Sequence, residues 1–303
     1  MAEVVGVDIG GTKTHLALAS DDDGALLRQA VVSTSSWRDA GTSAAALREL
    51  IVTQLGEAAT TRPLAVGAHG CDSTAQCRAL EDALRAQLAG PVTVVNDAEL
   101  MPPALDVEAA IGIAVGTGSI AVARDAAGEL LTAGGWGWLL GDEGSSAGIV
   151  REATRAVLAD LDRGRPPDAL TRRLLASFDA SDGPELAMAL TRAASAEAWG
   201  SHAVEVFAAA DDGSAVAARI IREAGTHLAS LVGQLRARGV RADAIVAGGA
   251  VIEGQPRLRD AFTTALTREH PTIAIHVLDR PPVMGAVALA RRIAPSLIPE
   301  VTS

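Results

Sequence analysis

Short apolar segments rich in β-branched residues alternate along the chain with longer segments whose apolar positions recur at helical spacing. The first apolar segment, residues 4–9, runs into a Gly-Gly-Thr turn and continues as a second extended segment over residues 15–18. A third extended segment covers residues 26–32 after an acidic turn. Valine and isoleucine favour strands, so the pattern predicts a sheet that opens with a hairpin.

Helices and strands alternate after this hairpin. Apolar residues recur at helical spacing over residues 43–59, a buried strand with a glycine-containing loop follows, and a second helix is predicted over residues 74–88. The next strand, residues 92–95, leads directly into Asn96 and Asp97. Strands separated by helices pair in parallel and bind ligands beyond their carboxyl ends, where Asp97 is the candidate catalytic base. An Asn-Asp pair at a strand end is also a common turn or helix cap.

The strand, glycine turn and strand of the first hairpin recur over residues 111–122, which indicates an internal duplication. Aligning the two copies places Gly10 on Gly116 and Asp8 on Ala114, so only the first copy keeps an acid that could hold a cation. Two such turns, with amides pointing at an anion, would clamp the phosphates of a nucleotide. The chain has neither a Walker-A motif nor a strand-GxGxxG-helix unit, and a plain hairpin would also account for the first turn alone.

Residues 134–146 combine several glycines with Trp136 and Trp138, which predicts a shaped loop leading into a helix over residues 145–160. Asp142 stands near the start of that helix, where N-capping is its ordinary interpretation. Further helices are predicted over residues 167–177, 184–193, 196–210 and 214–238, a strand and glycine turn over residues 242–250, and a last helix from residue 281.

Composition narrows the class of protein. A chain of 303 residues with 49% hydrophobic content favours two domains, and a net charge of −11 argues against a nucleic-acid partner. Apolar segments are short and no basic leader precedes the first strand, so we expect a cytoplasmic protein without a membrane partner. Cys71 and Cys77 exclude a disulfide framework and are interpreted as small apolar residues. Lys13 is the only lysine, a sign either of phosphate binding or of codon bias.

These motifs together carry a resemblance. They are, in chain order, Asp8-Ile9-Gly10-Gly11-Thr12, Asn96-Asp97-Ala98, Gly116-Thr117-Gly118-Ser119, Gly135-Trp136-Gly137, Gly141-Asp142-Glu143-Gly144-Ser145 and Gly248-Gly249. The chain resembles the N-acetylglucosamine kinase and BadF/BadG/BcrA/BcrD-type ATPase family of the actin/hexokinase/Hsp70 superfamily over nearly its whole length. The Gly-Trp-Gly and Gly-Asp-Glu-Gly-Ser segments are specific to this branch.

The resemblance implies an α/β fold of two duplicated actin-like (ribonuclease H-like) domains with a cleft, residues 1–105 with 285–303 and residues 106–284. It also implies an ATP- and Mg²⁺-dependent kinase, expected as a homodimer. The expected reaction is direct in-line transfer of a phosphoryl group from ATP to a hydroxyl of N-acetylglucosamine or glucosamine. The expected hydroxyl is O6. The partner is therefore a small-molecule sugar.

Site residues are carried over by the same resemblance. Asp8 assists Mg²⁺, Asp97 is the base, and Asp142 binds a sugar hydroxyl. Phosphates are held by Gly10, Gly11, Thr12, Lys13, Gly116, Thr117, Gly118 and Ser119, and adenosine lies against Gly248 and Gly249. The sugar-binding set is Ser35, Trp37, Gly70, Asp72, Asn96, Asp97, Gly135, Trp136 and Asp142.

Departures from the family pattern leave the substrate open. The family's N-acetylglucosamine kinases carry Asn where this chain has Ser35, and Ser-Gly-Gly-Asp where it has His69-Gly70-Cys71-Asp72. Another hexose remains an alternative, as does an ATPase activator of a radical dehydratase, which would need cysteines for an iron–sulfur cluster. The zinc-binding cysteines of ROK sugar kinases are missing, so no structural metal is expected. A sugar-responsive repressor is a further alternative class, and it would need a DNA-binding module before the first glycine motif.

Overall fold

The computed structural model describes residues 2–38 and 43–294, which form two compact units. The first unit contains the described residues of Met1–Glu108, Ala127–Leu131 and Leu278–Ser303, and the second contains Ala109–Ala126 and Thr132–Val277. The domain boundaries expected from the sequence, after residues 105 and 284, stay a prediction.

Each unit contains five strands together with helices among its described residues. The strands are β1 (Glu3–Ile9), β2 (Lys13–Ser20), β3 (Leu26–Ser33), β4 (Leu64–Ala68), β5 (Val92–Val95), β6 (Ala110–Val115), β7 (Ser119–Arg124), β8 (Leu130–Gly134), β9 (Ala244–Gly248) and β10 (Ala274–Val277). The helices are α1 (Ala44–Leu55), α2 (Thr74–Arg85), α3 (Met101–Ala104), α4 (Ser146–Asp162), α5 (Ala169–Ser177), α6 (Gly183–Arg192), α7 (Ala196–Gly200), α8 (Ala203–Asp211), α9 (Ala215–Ala237), α10 (Ala250–Gly254), α11 (Pro256–Glu269) and α12 (Val283–Ile293). Short 3₁₀ helices cover Thr34–Ser36, Glu57–Thr61 and Asp97–Leu100.

The first sheet has the strand order β3-β2-β1-β4-β5. Strand β1 is antiparallel to β2 and parallel to β4, which is in turn parallel to β5. Nearly every residue of β1 and β4 is buried, as expected for strands covered on both faces. The parallel arrangement brings the carboxyl ends of β1, β4 and β5 to one edge of the sheet, and this edge carries Asp8 and Asp97.

Helix α12 packs directly on the first sheet. A Cβ on Gly6 would lie 2.8 Å from the Val287 amide nitrogen, and a Cβ on Gly285 would lie 1.8 Å from the Leu100 carbonyl oxygen. Both positions therefore require glycine, because a side chain on Gly6 would push α12 away from the sheet and one on Gly285 would push it away from the 3₁₀ helix that ends at Leu100. The apolar face of α12 joins β1 and β4 in one buried cluster.

The second sheet has the strand order β10-β9-β6-β7-β8. Read from β8 to β10, this order corresponds to that of the first sheet read from β3 to β5. Strand β6 is antiparallel to β7 and parallel to β9, as β1 is to β2 and β4. The duplication expected from the glycine turns is thus visible in the topology, and the α/β class predicted from the sequence is confirmed.

Helices α9 and α11 pack closely in the second unit, where a Cβ on Gly225 would lie 2.6 Å from backbone and side-chain atoms of Ala261. The single helix predicted over residues 196–210 is wrong, since α7 ends at Gly200 and α8 begins at Ala203. A Cβ on Gly200 would lie 2.2 Å from Ser146 Oγ, so the break permits a close approach to α4.

Two prolines lie close to the domain boundary that the sequence predicts after residue 105. Pro102 and Pro103 are both buried in α3. Proline is tolerated in the first turn of a helix because the amides there have no intrahelical partner. Among the described residues, none of the helices is both long and apolar enough to cross a membrane.

Candidate active site

Two carboxylates meet at the edge of the first sheet. Asp8 is the last residue but one of β1, and Asp97 directly follows the Asn96 that ends the β5 segment. Burial, and to a smaller extent the negative charge of Asp97, raise the pKa of Asp8 to about 7. A cation beside Asp8 would relieve both effects, and the Asp8 carboxylate is a hard oxygen ligand of the kind that Mg²⁺ prefers.

One oxygen of the Asp97 carboxylate accepts a hydrogen bond, and a ring nitrogen lies near the other oxygen. The Ala98 amide donates to Oδ1 at 3.1 Å, and Nδ1 of His69 lies 3.5 Å from Oδ2. The side chain is 22% exposed, which leaves it open to a ligand. A carboxylate fixed in this way can accept a proton from a hydroxyl placed beside it.

The Asn96 side chain makes hydrogen bonds inside the protein and is not exposed to a ligand. Its Oδ1 accepts from the Ala98 amide at 2.9 Å, which makes it the N-cap of the 3₁₀ helix Asp97–Leu100. Its Nδ2 donates to the Cys71 carbonyl at 3.2 Å and to Asp72 Oδ1 at 3.0 Å. The side chain is buried, so Asn96 orients Asp72, which is exposed, and Asp97.

The first glycine turn is closed by its own backbone. The Gly10 amide donates to the Lys13 carbonyl at 2.9 Å. Within the part of the chain that the structure describes, the amides of Gly11 and Thr12 have no backbone partner. Residues Gly11, Thr12 and Lys13 are exposed. The turn thus presents two amides and a lysine to solvent, as an anion site requires.

The serine-rich loop after β3 is tied to this turn. Thr34 Oγ1 donates to the Gly10 carbonyl at 2.9 Å, and Trp37 Nε1 donates to Thr14 Oγ1 at 3.0 Å. Ser35 is exposed, with its hydroxyl 2.9 Å from that of Ser33. The loop therefore holds the half-buried Trp37 ring in a fixed orientation beside the phosphate turn.

Gly70 lies at the end of β4 with a φ of +86°, a conformation that favours glycine. A Cβ there would lie 3.4 Å from Nη2 of Arg38. The exposed Gly70 and Asp72 thus share the sheet edge with Asp97, as the sequence predicts.

The second glycine turn is tied to the start of α4. The Gly116 amide donates to the Gly118 carbonyl, and the Gly116 carbonyl accepts from the Ser146 amide, both at 2.9 Å. Ser119 is buried and its hydroxyl donates to the Glu143 carbonyl at 2.9 Å, so its side chain supports the turn from inside. Gly116, Thr117 and Gly118 remain partly exposed.

Asp142 lies against this second turn. It has a φ of +54°, it is 7% exposed, and a Cβ on Gly118 would lie 2.9 Å from its Oδ2. Its Oδ1 is buried without a hydrogen-bond partner among the described residues. Burial raises the pKa of Asp142, while the backbone amides of Ser119 and Gly137 oppose that shift.

The N-cap interpretation of Asp142 is wrong, because Ser145 caps α4 by accepting from the Gly148 amide at 3.0 Å. A buried carboxylate with strained backbone and an unsatisfied oxygen is expensive, and such features cluster at binding sites. The structure thus excludes helix N-capping, the ordinary interpretation of Asp142 in the sequence.

Arg151, which the sequence analysis missed, holds the glycine loop that carries Asp142. Its Nη1 donates to the Gly141 carbonyl at 2.8 Å and also to the Trp138 carbonyl. Trp138 packs edge-to-face on Trp199 with ring centroids 4.8 Å apart. Trp136 is 75% exposed, and Gly135 before it is also exposed, so this part of the loop faces solvent.

A cavity of about 320 Å³ opens beside the second glycine turn within the same unit. Its lining combines the turn with apolar side chains, and includes Gly116, Thr117, Val204, Phe207, Ala250 and Val251. Gly249, just before this lining, has a φ of +110°, and a Cβ there would lie 2.6 Å from the Val115 carbonyl oxygen. A mostly apolar pocket next to a glycine turn suits a nucleoside, with buried Gly248 and half-buried Gly249 adjoining it in sequence.

Two groups of predicted residues are therefore brought together, one in each unit. The first unit gathers Asp8, Gly10–Lys13, Ser35, Trp37, Gly70, Asp72, Asn96 and Asp97. The second gathers Gly116–Ser119, Gly135, Trp136, Asp142, Gly248 and Gly249.

Two mixed sheets of one topology, each with a glycine hairpin, define the duplicated actin-like fold of sugar kinases. A ROK family glucokinase from Streptomyces griseus, solved with glucose and AMPPNP, has a TM-score of 0.56 and 19% identity, with coverage of 97% of this chain and 99% of that chain. A candidate N-acetylglucosamine kinase from Chromobacterium violaceum has a TM-score of 0.69 and 24% identity, with coverage of 96% and 99%. The fold expected from the resemblance is confirmed.

The chain belongs to the BadF/BadG/BcrA/BcrD ATPase family, whose sequence profile matches residues 5–290. It is also 29% identical over 305 residues to the N-acetylmuramic acid/N-acetylglucosamine kinase of Clostridium acetobutylicum, with coverage of 96% of this chain and 99% of that protein. The family predicted from the motifs is thus confirmed.

Proposed function

We propose that this protein is an ATP- and Mg²⁺-dependent kinase that phosphorylates an amino sugar, N-acetylglucosamine or glucosamine, at O6. The transfer is direct and in line, with Asp97 as the general base. The observation that carries this proposal is the position of Asp97, which is part-exposed and accepts a hydrogen bond from the Ala98 amide, near half-buried Asp8 and the first glycine turn. Phosphoryl transfer needs this combination of a base, a cation ligand and amide donors.

Asp8 would hold Mg²⁺, which offsets phosphate charge when bound. Among the described residues no group of three or more acidic, histidine or cysteine side chains forms a metal cluster. A single buried carboxylate fits an ion that takes its other ligands from water and phosphate oxygens. The exposed amides of Gly11 and Thr12 would bind phosphate on the same side of the turn.

The sugar is assigned from both the site and the relatives. The Clostridium acetobutylicum relative is named for N-acetylglucosamine as well as N-acetylmuramic acid. Buried Asp142 has an unsatisfied oxygen that a sugar hydroxyl would satisfy, and exposed Ser35, Asp72 and Trp136 offer further polar and aromatic contacts.

The radical-dehydratase activator is disfavoured by the cysteines. Cys71 and Cys77 are both buried, and Cys77 Sγ donates to the Cys71 carbonyl at 3.6 Å. A cluster shared between protomers needs thiolates at an exposed surface, which these two side chains do not provide. On the basis of the resemblance, we also propose that the protein is a homodimer in the cytoplasm. Light scattering at several protein concentrations tests the dimer.

An ADP-release assay with ATP-Mg tests the proposed function. The panel contains glucose, glucosamine, N-acetylglucosamine, N-acetylmannosamine and N-acetylmuramic acid, and NMR of the product identifies the phosphorylated hydroxyl. We expect sugar-dependent ADP release that is strongest with an amino sugar and is lost in D97N. ADP release that no sugar stimulates would contradict the proposal, and preference for glucose would move it to another hexose.

A further inference from the structure

His69 occupies the space between the proposed base and the first phosphate turn, and no role has yet been given to its side chain. Its Nδ1 lies 3.5 Å from Asp97 Oδ2. A Cβ on Gly11 would lie 3.7 Å from the Nε2 atom of the same ring. The imidazole therefore contacts the base with one nitrogen and borders the glycine turn with the other.

The backbone of His69 is fixed on both sides. Its amide donates to the Ile9 carbonyl at 2.8 Å, which extends the pairing of β1 and β4 by one hydrogen bond. Its carbonyl accepts from Nη2 of Arg38 at 3.2 Å. These bonds involve main-chain atoms of His69, so they survive any substitution of its side chain. The ring position is consequently set by rigid elements, which a positioning group requires.

We propose that His69 is a positioning residue that orients the Asp97 carboxylate through an Nδ1–H···Oδ2 hydrogen bond, so that the remaining lone pairs of Asp97 face the substrate hydroxyl.

The geometry of Asp97 explains why this second donor matters. The Ala98 amide holds Oδ1, but that amide also donates to Asn96 Oδ1 at the shorter distance of 2.9 Å. A single shared donor leaves the carboxylate free to rotate, whereas donors on both oxygens fix its plane. The distance of 3.5 Å from His69 is longer than an ordinary hydrogen bond, and we expect it to shorten in the reactive complex, as catalytic hydrogen bonds commonly do.

The charges around the ring favour a donor at Nδ1. The side-chain hydrogen bond to Asp97 raises the pKa of His69, burial opposes this shift, and Asp72 and Arg38 act in opposite directions. The protonated ring carries N–H groups on both nitrogens, so one faces Asp97 and the other the turn that would bind phosphate. Loss of the ring should therefore affect the chemical step more than sugar binding.

Two substitutions of His69 distinguish the contributions of its two ring nitrogens. Asparagine places its amide near the position of Nδ1, and glutamine places its amide near that of Nε2. We expect H69Q to lower kcat by roughly 10- to 100-fold with little change in KM for sugar or ATP, because a misplaced reacting group costs on the order of 100-fold. H69N should keep most of kcat. H276N, on the exposed edge of β10, is the matched control.

A double-variant test distinguishes positioning from a general structural role. In a D97N background H69Q should cause no further loss of kcat, because the group that His69 positions is already gone. Equal losses in H69N and H69Q, or a full additional loss in the D97N background, would overturn the proposal. The His69 side chain is 58% exposed, so both variants should fold, which circular dichroism can check.

A second readout does not depend on kinase activity. The proposal rests on the proposed function for its substrate, but the contact between His69 and Asp97 can be followed by NMR of the imidazole signals, assigned by their absence in H69N. D97N should lower the titration midpoint of His69, because it removes the carboxylate that favours the charged ring. An unchanged midpoint would overturn the proposal even in an active enzyme. A shifted midpoint in a protein that phosphorylates no sugar would instead reject the proposed function.

Discussion

Replacing Asp8 with asparagine should stabilise the ligand-free protein in a way that depends on pH. The pKa of Asp8 rises from 3.8 to about 7 on folding because the carboxylate is buried next to Asp97. The unfolded chain releases this proton near pH 4 while the folded chain keeps it, so stability falls as the pH rises between these values. Above pH 7 both states are ionised and the penalty is constant.

The size of this effect follows from the shift. A difference of about three pKa units at 1.36 kcal/mol per unit corresponds to about 4 kcal/mol at pH 8, and to about 2 kcal/mol at pH 5. Asparagine has nearly the shape of aspartate and carries no charge. D8N should therefore have the higher free energy of unfolding, by an amount that widens between these two pH values.

Urea unfolding of wild type and D8N at pH 5 and pH 8, without nucleotide, measures this difference. Other titrating groups affect both proteins alike, and D22N, an exposed aspartate on the turn before β3, is the matched control whose gap to wild type should not widen. A D8N gap that stays constant from pH 5 to pH 8 would refute the reasoning. The same variant should lose Mg²⁺-dependent turnover, whereas A114S at the equivalent position of the second hairpin should keep it.

Three further predictions concern the other site residues. D97N should lower kcat by roughly 10²- to 10⁴-fold, which is the usual contribution of a positioned base. Calorimetry should show sugar and ATP affinities that are little changed. Near-normal kcat would exclude Asp97 as the base. D142N should instead weaken sugar binding by about 10- to 100-fold, since a hydrogen bond to a charged group contributes about 1.5–3 kcal/mol, and unchanged sugar affinity in calorimetry would remove Asp142 from the sugar site. Saturating sugar should alter the fluorescence of exposed Trp136, and a change that persists in W136F would assign the signal to another tryptophan.

Local signals in the sequence were enough for much of the fold. Strands β1, β2, β4, β5, β6 and β9 all follow from short apolar segments, several of them rich in β-branched residues, that lead into glycine or acidic turns. Both hairpins follow from the repeat of the Gly-containing turn. The position of Asp97 was predictable because the strand over Val92–Val95 ends directly before it and parallel strands share an edge.

What the sequence could not provide depends on contacts between distant residues. His69 and Asp97 are separated by a whole helix, and Arg151 reaches back from α4 to the carbonyls of the glycine loop. No local pattern encodes such pairs. Gly200 is a poor helix former, but the break after it also depends on the distant Ser146, since a Cβ on Gly200 would lie 2.2 Å from Ser146 Oγ.

Some residues carry two roles that a motif alone does not separate. Asn96 is a helix cap and also the partner of Asp72, so the cap interpretation and the site interpretation both apply to its neighbourhood. For Asp142 the opposite holds, since Ser145 three residues later takes the cap. Only the positions of the donors decide between these cases.

The dependence of the first unit on α12 has a consequence for synthesis of the chain. The cluster that covers β1 and β4 includes Val283, Ala286 and Val287, which leave the ribosome after the whole second unit. At about 5–20 residues per second, the intervening segment takes roughly 10–40 s to be made. During that interval the second unit can fold while the first sheet has an uncovered apolar face. The second unit can therefore complete its fold before the first, and chaperone binding should be strongest at the N-terminal sheet.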